Sequence, residues 1–261
     1  MNNRLTLCTL FLCYLITGCN SLYTVSDCKL VAHRGYWDTE GSCDNSIASL
    51  EKAIAFGVYG VEFDVVQSAD DSLLVCHGPD HGQLEIKKSS YVDLRNVKLE
   101  NKETMPSLRE YFQACKALPP CMLFLEVKDL DSVEQILALV DEFSFQERVV
   151  YLSFSKTACV NIKTATPKNE VFYLNGDLSP DELLELNLDG FIYSFLTLRD
   201  RQHWLNRAKV LGMKHGAYNV DRKAHLKWCL LNDITYALTD NLILFREAYK
   251  ALKRVANEFS V

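Results

Sequence analysis

Seven side chains of the types that bind metal ions and move protons lie in four short clusters within the first half of the chain. They are His33 and Arg34, Glu62 and Asp64, His77, and Glu126 and Lys128. Side chains two residues apart on a strand share one face, so Glu62 lies beside Asp64 and Glu126 beside Lys128. Because unpaired acids in apolar strands are costly to bury, this spacing predicts a metal ion or a cationic partner. A structural network of ion pairs is the alternative.

The clusters together hold the groups that metal-assisted hydrolysis of a phosphodiester needs. Glu62, Asp64 and Glu126 offer hard oxygen ligands of the kind that Mg²⁺ and Ca²⁺ prefer. A divalent ion there would polarise a phosphoryl oxygen, while Arg34 and Lys128 would bind the remaining oxygens. The sequence therefore predicts one divalent cation beside a phosphate site, although Lys128 would serve equally well to orient Glu126.

Two histidines complete this predicted site. His33 and His77 suit a general base and a general acid, because imidazole titrates near neutral pH. The sequence does not assign the two roles. Gly35 lacks a Cβ and would let the backbone approach the ligand closely.

Eight short β-rich segments alternate with helical patterns along the chain, without a low-complexity linker. This alternation is typical of a parallel sheet covered by helices. The predicted strands are 29–32, 60–65, 122–127, 149–153, 171–174, 190–193, 214–218 and 235–239. Eight such units in one domain favour an α/β fold closed into a single (β/α)8 TIM barrel over an open doubly wound sheet.

Residues 78–121 interrupt the alternation, which predicts an insertion after strand two and then a helix beginning near Pro106. Active sites of barrels lie at the C-terminal ends of the strands, so the insertion would lie over the site. The first helix is predicted to be capped by Asp44 or Asn45 and to end at Gly57. Further candidates for lining the mouth and binding substrate, for which capping or packing accounts equally well, are Asn45, Tyr193, Tyr218 and Asn219.

The four clusters resemble the signatures of the glycerophosphodiester phosphodiesterase family, and the resemblance covers nearly all of the chain after residue 28. The matching motifs are His33-Arg34-Gly35, Glu62-Phe63-Asp64, His77, Glu126-Val127-Lys128, Met105-Pro106-Ser107-Leu108 and Thr239-Asp240. The resemblance implies a β/α barrel, a metal ion bound by Glu62, Asp64 and Glu126, and catalytic roles for His33 and His77.

Three positions depart from the family pattern. Asp44-Asn45-Ser46 replaces the usual Glu-Asn-Thr, which shortens the acid. Gly78 follows His77 where the family usually has Asp, and Tyr218 is the only aromatic residue near strand seven. None of these changes removes a predicted catalytic group, but each is expected to affect substrate preference.

Charge and cysteine content exclude several other classes of function. The net charge is -6, with no basic run longer than a dipeptide such as Lys87-Lys88, so nucleic-acid binding is not expected. No C-x-x-C spacing occurs, which argues against structural zinc. A disulfide between Cys115 and Cys121 is one reading of the cysteines, and buried free thiols are the other. The sequence does not identify a protein partner.

The N-terminus is predicted to be a lipoprotein signal peptide covering residues 1–18. Its apolar stretch is shorter than a membrane span, and the sequence before Cys19 resembles a bacterial lipobox, in which the cysteine is acylated. We therefore expect a lipidated tether at 19–28, a catalytic domain at 29–261 and export to the periplasmic or cell-surface side of a bacterial membrane.

These observations predict a metal-dependent phosphoric diester hydrolase that converts glycerophosphodiesters to glycerol 3-phosphate and an alcohol. Phospholipase D-like action on lysolipids or sphingolipids is the alternative enzyme function, which a long apolar groove would distinguish. A catalytically inactive, ligand-binding lipoprotein is the non-enzymatic alternative. It would be marked by a missing metal ligand or histidine, and every one of these residues is present.

Overall fold

The computed structural model describes residues 27–128 and 133–258, with side chains up to residue 254. Its strands are β1 (Lys29–Ala32), β2 (Gly60–Gln67), β3 (Leu73–Val75), β4 (Asp80–His81), β5 (Leu84–Glu85), β6 (Met122–Val127), β7 (Val149–Ser153), β8 (Val171–Tyr173), β9 (Gly190–Ser194), β10 (Lys214–Tyr218) and β11 (Tyr236–Thr239). Eight of them form a closed parallel barrel in the order β1, β2, β6, β7, β8, β9, β10 and β11, with β11 pairing back to β1. The predicted (β/α)8 barrel is therefore confirmed.

Helices connect the barrel strands and cover their outer faces. They are α1 (Ile47–Phe56), α2 (Tyr91–Asn96), α3 (Leu108–Ala117), α4 (Glu134–Glu142), α5 (Lys156–Ala165), α6 (Pro180–Glu185), α7 (Phe195–Asp200), α8 (Gln202–Leu211), α9 (Lys223–Leu231) and α10 (Leu242–Glu258), with a 3-10 helix at Ile86–Lys88. Alternate strand residues pack outward against these helices, as Phe63 does against Tyr111 with ring centroids 4.6 Å apart. The intervening residues fill the barrel interior, where Phe124 and Phe172 both contact the ring of Tyr236.

The insertion after β2 begins with β3, which pairs antiparallel to the end of β2. Its own small core includes Leu74, Ile86 and Leu94, and this core packs against Val66 at the end of β2. The Cys76 N–H donates to the carbonyl of Asp64 at 3.1 Å, so the chain leaving β3 continues alongside β2 as far as Asp64.

Local boundaries follow the sequence closely, with one correction. Helix α1 is capped by Ser46, whose hydroxyl accepts from the Ser49 N–H, and not by Asp44 or Asn45. The helix ends at Gly57 with φ 85°, as predicted. Helix α3 begins directly after Ser107, where Ser107 and Glu110 form a reciprocal capping box.

The cysteines carry no disulfide in the described part of the chain, and Cys115 and Cys121 are both free. The predicted signal peptide, Cys19 and residues 20–26 of the tether lie outside the described residues. Within the residues that are described, none of the helices is both long and apolar enough to cross a membrane.

Candidate active site

The three acidic side chains converge because of strand register. Asp64 on β2 is the register partner of Glu126 on β6, and Glu62 lies two residues earlier on the inner face of β2. All three are buried, and one oxygen from each lies within 4.8 Å of the others. Three carboxylates at this separation can share one cation.

The electrostatics of this acidic cluster fit a divalent cation. Burial and the charge of Asp64 raise the pKa of Glu62 to about 8 and that of Glu126 to about 7. Glu62 Oε1 is buried and has no hydrogen-bond partner among the described residues. The Lys128 ammonium lies 3.0 Å from Asp64 Oδ1 and 2.6 Å from Glu126 Oε1, so it offsets part of the negative charge. A hard, oxygen-preferring ion such as Mg²⁺ or Ca²⁺ matches this donor set.

Asp64 is the most heavily supported of the three acids. Burial alone would raise its pKa, but the hydrogen bond from His77 and the charge of Lys128 hold that pKa well below its usual range. Asn45 Nδ2 donates to Asp64 Oδ2 at 2.8 Å, and the Asp64 N–H donates back to Asn45 Oδ1 at 3.1 Å. Both ends of the buried Asn45 amide are thus used on Asp64, which favours a positioning role for Asn45 over the predicted contact with substrate.

Arg34 links the start of the barrel to the acidic cluster. Its backbone has φ 57°, and its N–H donates to Glu62 Oε2 at 2.9 Å. The guanidinium lies 3.0 Å from His77 Nε2, 3.5 Å from Asp64 Oδ2 and 3.7 Å from Asp44 Oδ2. It therefore stands at the site with donor groups of the kind that bind phosphate oxygens.

Gly35 packs closely against the first helix after β1. It has φ 83°, and a Cβ there would lie 2.7 Å from the backbone carbonyl carbon of Ser49. The N–H of Tyr36 also donates to the carbonyl of Ser49 at 2.9 Å. Close packing on helix α1 accounts for glycine at this position.

His33 is oriented by a residue from the other end of the chain. Its Nδ1 lies 2.8 Å from Asp240 Oδ1, and its Nε2 lies 3.9 Å from Glu62 Oε2. Burial disfavours the charged imidazole, but the hydrogen bond to Asp240 and the charge of Glu62 outweigh it and raise the pKa of His33 to about 9. Sequence reasoning noted Asp240 only as part of a family motif, because the two residues are 207 positions apart.

His77 approaches the cluster from the insertion. Its Nδ1 lies 3.3 Å from Asp64 Oδ2, and 43% of its side chain is exposed. A guanidinium can only donate, so the contact with Arg34 makes His77 Nε2 the acceptor and leaves the proton on Nδ1. Both predicted catalytic histidines therefore border the acidic cluster.

A single cavity at the C-terminal end of the barrel connects these groups. Its charged side is lined by His33, Arg34, Glu62, His77, Glu126 and Lys128, and its other side by Leu152, Phe154, Leu174, Tyr218, Asn219 and Leu238. The predicted position of Tyr218 and Asn219 at the mouth agrees with this lining.

Tyr193 does not line the mouth, contrary to its prediction. It is fully buried in the layer between the barrel and the helices, stacked on Phe191 at 4.6 Å. Its hydroxyl donates to the carbonyl of Leu178 at 2.8 Å. Strand alternation explains the difference, because Ile192 points inward and Tyr193 therefore points outward.

The fold and the site define a (β/α)8-barrel protein with a buried acidic cluster that could hold a metal ion, bordered by two histidines, an arginine and a lysine. The Glycerophosphoryl diester phosphodiesterase family matches residues 33–244. A crystal structure of a glycerophosphodiester phosphodiesterase from Parabacteroides distasonis is 36% identical, covers 89% of this chain and 100% of its own, and superposes with a TM-score of 0.83.

Two more distant proteins give the same family or fold. A curated glycerophosphodiester phosphodiesterase from Caldanaerobacter subterraneus is 23% identical over 231 residues, which is 81% of this chain and 93% of the relative. An Oleispira antarctica phosphodiesterase, solved in complex with its product sn-glycerol 3-phosphate, is 20% identical with a TM-score of 0.73 and coverage of 85% and 96%. The chain belongs to the glycerophosphoryl diester phosphodiesterase family and is an enzyme of the phosphoric diester hydrolase class.

The buried acids make the stability of the metal-free protein depend on pH. The folded-state pKa values of Glu62 and Glu126 lie above that of an unfolded glutamate, and the pKa of His33 lies above that of an unfolded histidine. The native state therefore binds more protons than the unfolded state between about pH 5 and 9, so stability falls as pH rises through this window. We expect the free energy of unfolding in EDTA, measured with urea, to fall by at least about 1 kcal/mol from pH 5.5 to 8.

Excess Mg²⁺ or Ca²⁺ is expected to remove most of this fall, because a bound ion keeps the carboxylates ionised. Glu62→Gln is expected to weaken both the fall and the response to the ion. Glu142→Gln, which alters an exposed acid on α4, is the matched control. A stability that rises with pH in EDTA would contradict the assignment.

Proposed function

We propose that this protein hydrolyses glycerophosphodiesters to glycerol 3-phosphate and a free alcohol, with one divalent ion held by Glu62, Asp64 and Glu126. The observation that carries the proposal is that His33 and His77 line one cavity with Glu62 and Glu126, while Asp64 completes the acidic cluster 3.3 Å from His77, in a chain that belongs to this family. The product complex of the Oleispira antarctica phosphodiesterase supports the same product for this fold.

The charged half of the cavity divides the work between its side chains. A divalent ion in the acidic cluster would polarise a phosphoryl oxygen of the substrate. The Arg34 guanidinium and the Lys128 ammonium bind the remaining phosphate oxygens, since both lie on the cavity wall beside the acids. These contacts stabilise the charge that develops on the phosphate as the new bond forms.

Proton transfer falls to the two imidazoles. One histidine accepts the proton of the attacking hydroxyl, which belongs either to water or to the glycerol of the substrate, and the other donates a proton to the departing alkoxide. If the glycerol hydroxyl attacks, a cyclic phosphodiester forms first and water opens it. The carboxylate of Asp240 accepts a hydrogen bond from His33 Nδ1–H, so Nε2 is the atom that faces Glu62 and exchanges a proton with the substrate.

Release of glycerol 3-phosphate by the full chain in detergent tests this proposal. The panel contains glycerophosphocholine, glycerophosphoethanolamine, glycerophosphoinositol and a lysophospholipid. We expect turnover that EDTA abolishes and that Mg²⁺ or Ca²⁺ restores. Without the ion, the negative charge of the three carboxylates would repel the phosphate of the substrate. Asp64→Asn should lower kcat/KM by at least about 100-fold.

Asp200→Asn, which alters an exposed acid on α7, should leave the rate unchanged. Turnover that persists in EDTA and in Asp64→Asn would overturn the metal-dependent reaction. Release of alcohol from the lysophospholipid alone would favour the phospholipase D-like alternative.

The roles of the two histidines separate when the leaving group no longer needs a proton. We expect His33→Ala and His77→Ala each to lower kcat on alkyl diesters by about 100-fold or more, while the far-UV spectrum stays unchanged. On a p-nitrophenyl diester, only the variant that lacks the general base should remain impaired, because p-nitrophenolate leaves unprotonated. Rates near wild type in either variant on alkyl diesters would contradict the acid and base roles.

The proposal extends to export and lipid anchoring through Cys19. The sequence that supports it is the apolar stretch before Cys19, with the small residue Gly18 next to the cysteine. We expect the wild-type chain, expressed in a bacterium fed labelled palmitate, to carry label and to sediment with membranes. Cys19→Ser should lose both properties, and Cys28→Ser, on the other side of the tether, should keep both. Label retained in Cys19→Ser would refute the anchor.

A further inference from the structure

Asp240, whose carboxylate orients His33, is itself held by two other side chains, one on its carboxylate and one on its backbone N–H. Asp240 Oδ1 accepts from His33 Nδ1 at 2.8 Å and from Trp37 Nε1 at 2.9 Å. The backbone N–H of Asp240 donates to Asp221 Oδ1 at 2.9 Å, and the same oxygen accepts from the hydroxyl of Thr239. Asp240 thus has one oxygen shared by two ring N–H groups and a backbone fixed by a neighbouring loop.

These contacts combine three separate parts of the barrel. Trp37 follows β1, Asp221 follows β10 and Asp240 follows β11. Strands β1 and β11 are register partners, with Ala32 opposite Thr239, so closure of the barrel brings the loop after β1 over the end of β11. The site of contact depends on the fold and not on sequence proximity.

Trp37 and Asp240 are not among the described residues that line the catalytic cavity. The contact of the Trp37 side chain with the groups of the site runs through Asp240, so its effect on the reaction is expected to pass through Asp240 and His33. The indole offers a single N–H donor and no acceptor, and this donor is used on Asp240.

We propose that Trp37 is a positioning residue, which fixes the imidazole of His33 by holding the carboxylate of Asp240. This inference rests on the proposed function, since it concerns the same site.

The hydrogen bond from Trp37 restricts rotation of the Asp240 carboxylate. One third of the Asp240 side chain is exposed, so a carboxylate held by His33 alone could turn toward water and still keep hydrogen bonds. With Trp37 and His33 on the same oxygen, rotation of the carboxylate breaks two hydrogen bonds at once. The indole is rigid, and the backbone of Trp37 is held in a tight turn in which its carbonyl accepts from the Thr39 N–H. The position of the indole N–H is therefore fixed relative to Asp240.

Fixing Asp240 has a direct consequence for His33. A carboxylate only accepts, so His33 Nδ1 carries the proton and Nε2 faces Glu62 and the cavity. Loss of the indole donor leaves the ligands of the cation cluster untouched but lets the imidazole sample orientations in which Nε2 misses the substrate. The chemical step should therefore slow while substrate binding stays the same.

The test compares Trp37→Phe with Trp204→Phe in the full chain. Trp204 lies on α8, where its ring is packed near Tyr193, and serves as the matched control. We expect Trp37→Phe to lower kcat about tenfold, in line with the loss of one hydrogen bond to a charged group, with KM and divalent-ion affinity within about twofold of wild type. Trp204→Phe should leave kcat unchanged. Replacement of Trp37 by 3-benzothienylalanine, which keeps the shape of indole but lacks the N–H, should reproduce the loss even if Trp37→Phe folds poorly.

The Asp240→Asn variant identifies the route of the effect. If Trp37 acts through Asp240, Trp37→Phe should cause no further loss of kcat when Asp240 is already Asn. Losses that multiply in the double variant, or a kcat within twofold of wild type in the benzothienylalanine protein, would overturn the positioning role. An inactive wild-type protein would instead refute the proposed function, so the two failures are distinguishable.

Discussion

Three carboxylates from two adjacent strands lie within 4.8 Å of one another, where the surrounding barrel excludes most water. Burial and repulsion by the charge of Asp64 together raise the pKa values of Glu62 and Glu126. Two nearby cations offset part of this negative charge, since Lys128 and Arg34 both approach Asp64. A divalent ion would take over this charge balance and leave the two cations to bind an anionic substrate. The same residues would therefore stabilise the free protein and bind phosphate in the loaded one.

Barrel closure is the second condition for the site. Strand β1 pairs with β11 on one side and with β2 on the other, and the two residues after β1 turn to opposite sides of it. His33 contacts Asp240 after β11, whereas the Arg34 N–H reaches Glu62 on β2. The left-handed backbone of Arg34 and the tight packing of Gly35 on Ser49 make this divergence possible. The catalytic mouth is thus built at the seam of the barrel, so local changes in packing there affect chemistry as well as stability.

The sequence alone predicts the eight barrel strands and singles out the seven side chains of the candidate site, because both predictions depend on short-range patterns. Two-residue spacing placed Glu62 and Asp64 on one face without knowledge of the partner strand. It could not show that Asp64 lies opposite Glu126, which depends on the register between strands. Tyr193 was assigned to the mouth because spacing alone does not say which face of a strand points inward. The use of Asn45 on Asp64 and of Trp37 on Asp240 was equally hidden, since each contact joins segments brought together only by the closed barrel.

The cavity has a charged half and a largely apolar half. The candidate catalytic groups lie in the charged half, and the other half is expected to affect substrate choice. Strands β1, β2 and β6, together with the insertion, supply all of its charged side chains, whereas strands β7, β8, β10 and β11 supply leucines, Phe154, Tyr218 and Asn219. A phosphate bound by the charged half, as proposed, would direct its organic substituents toward the apolar half. On that half, Tyr218 and Asn219 are the described lining residues with polar side chains, so the hydroxyls of a substrate have few partners there. Substitutions in this half would change substrate choice without altering the cation ligands.

The departure from the family pattern at Tyr218 falls in the apolar half of the cavity, whereas Asp44 lies behind Arg34, 3.7 Å from its guanidinium. If the proposed function holds, the first departure would bear on which alcohol or glycerol group is accepted, and the second on how firmly Arg34 is held.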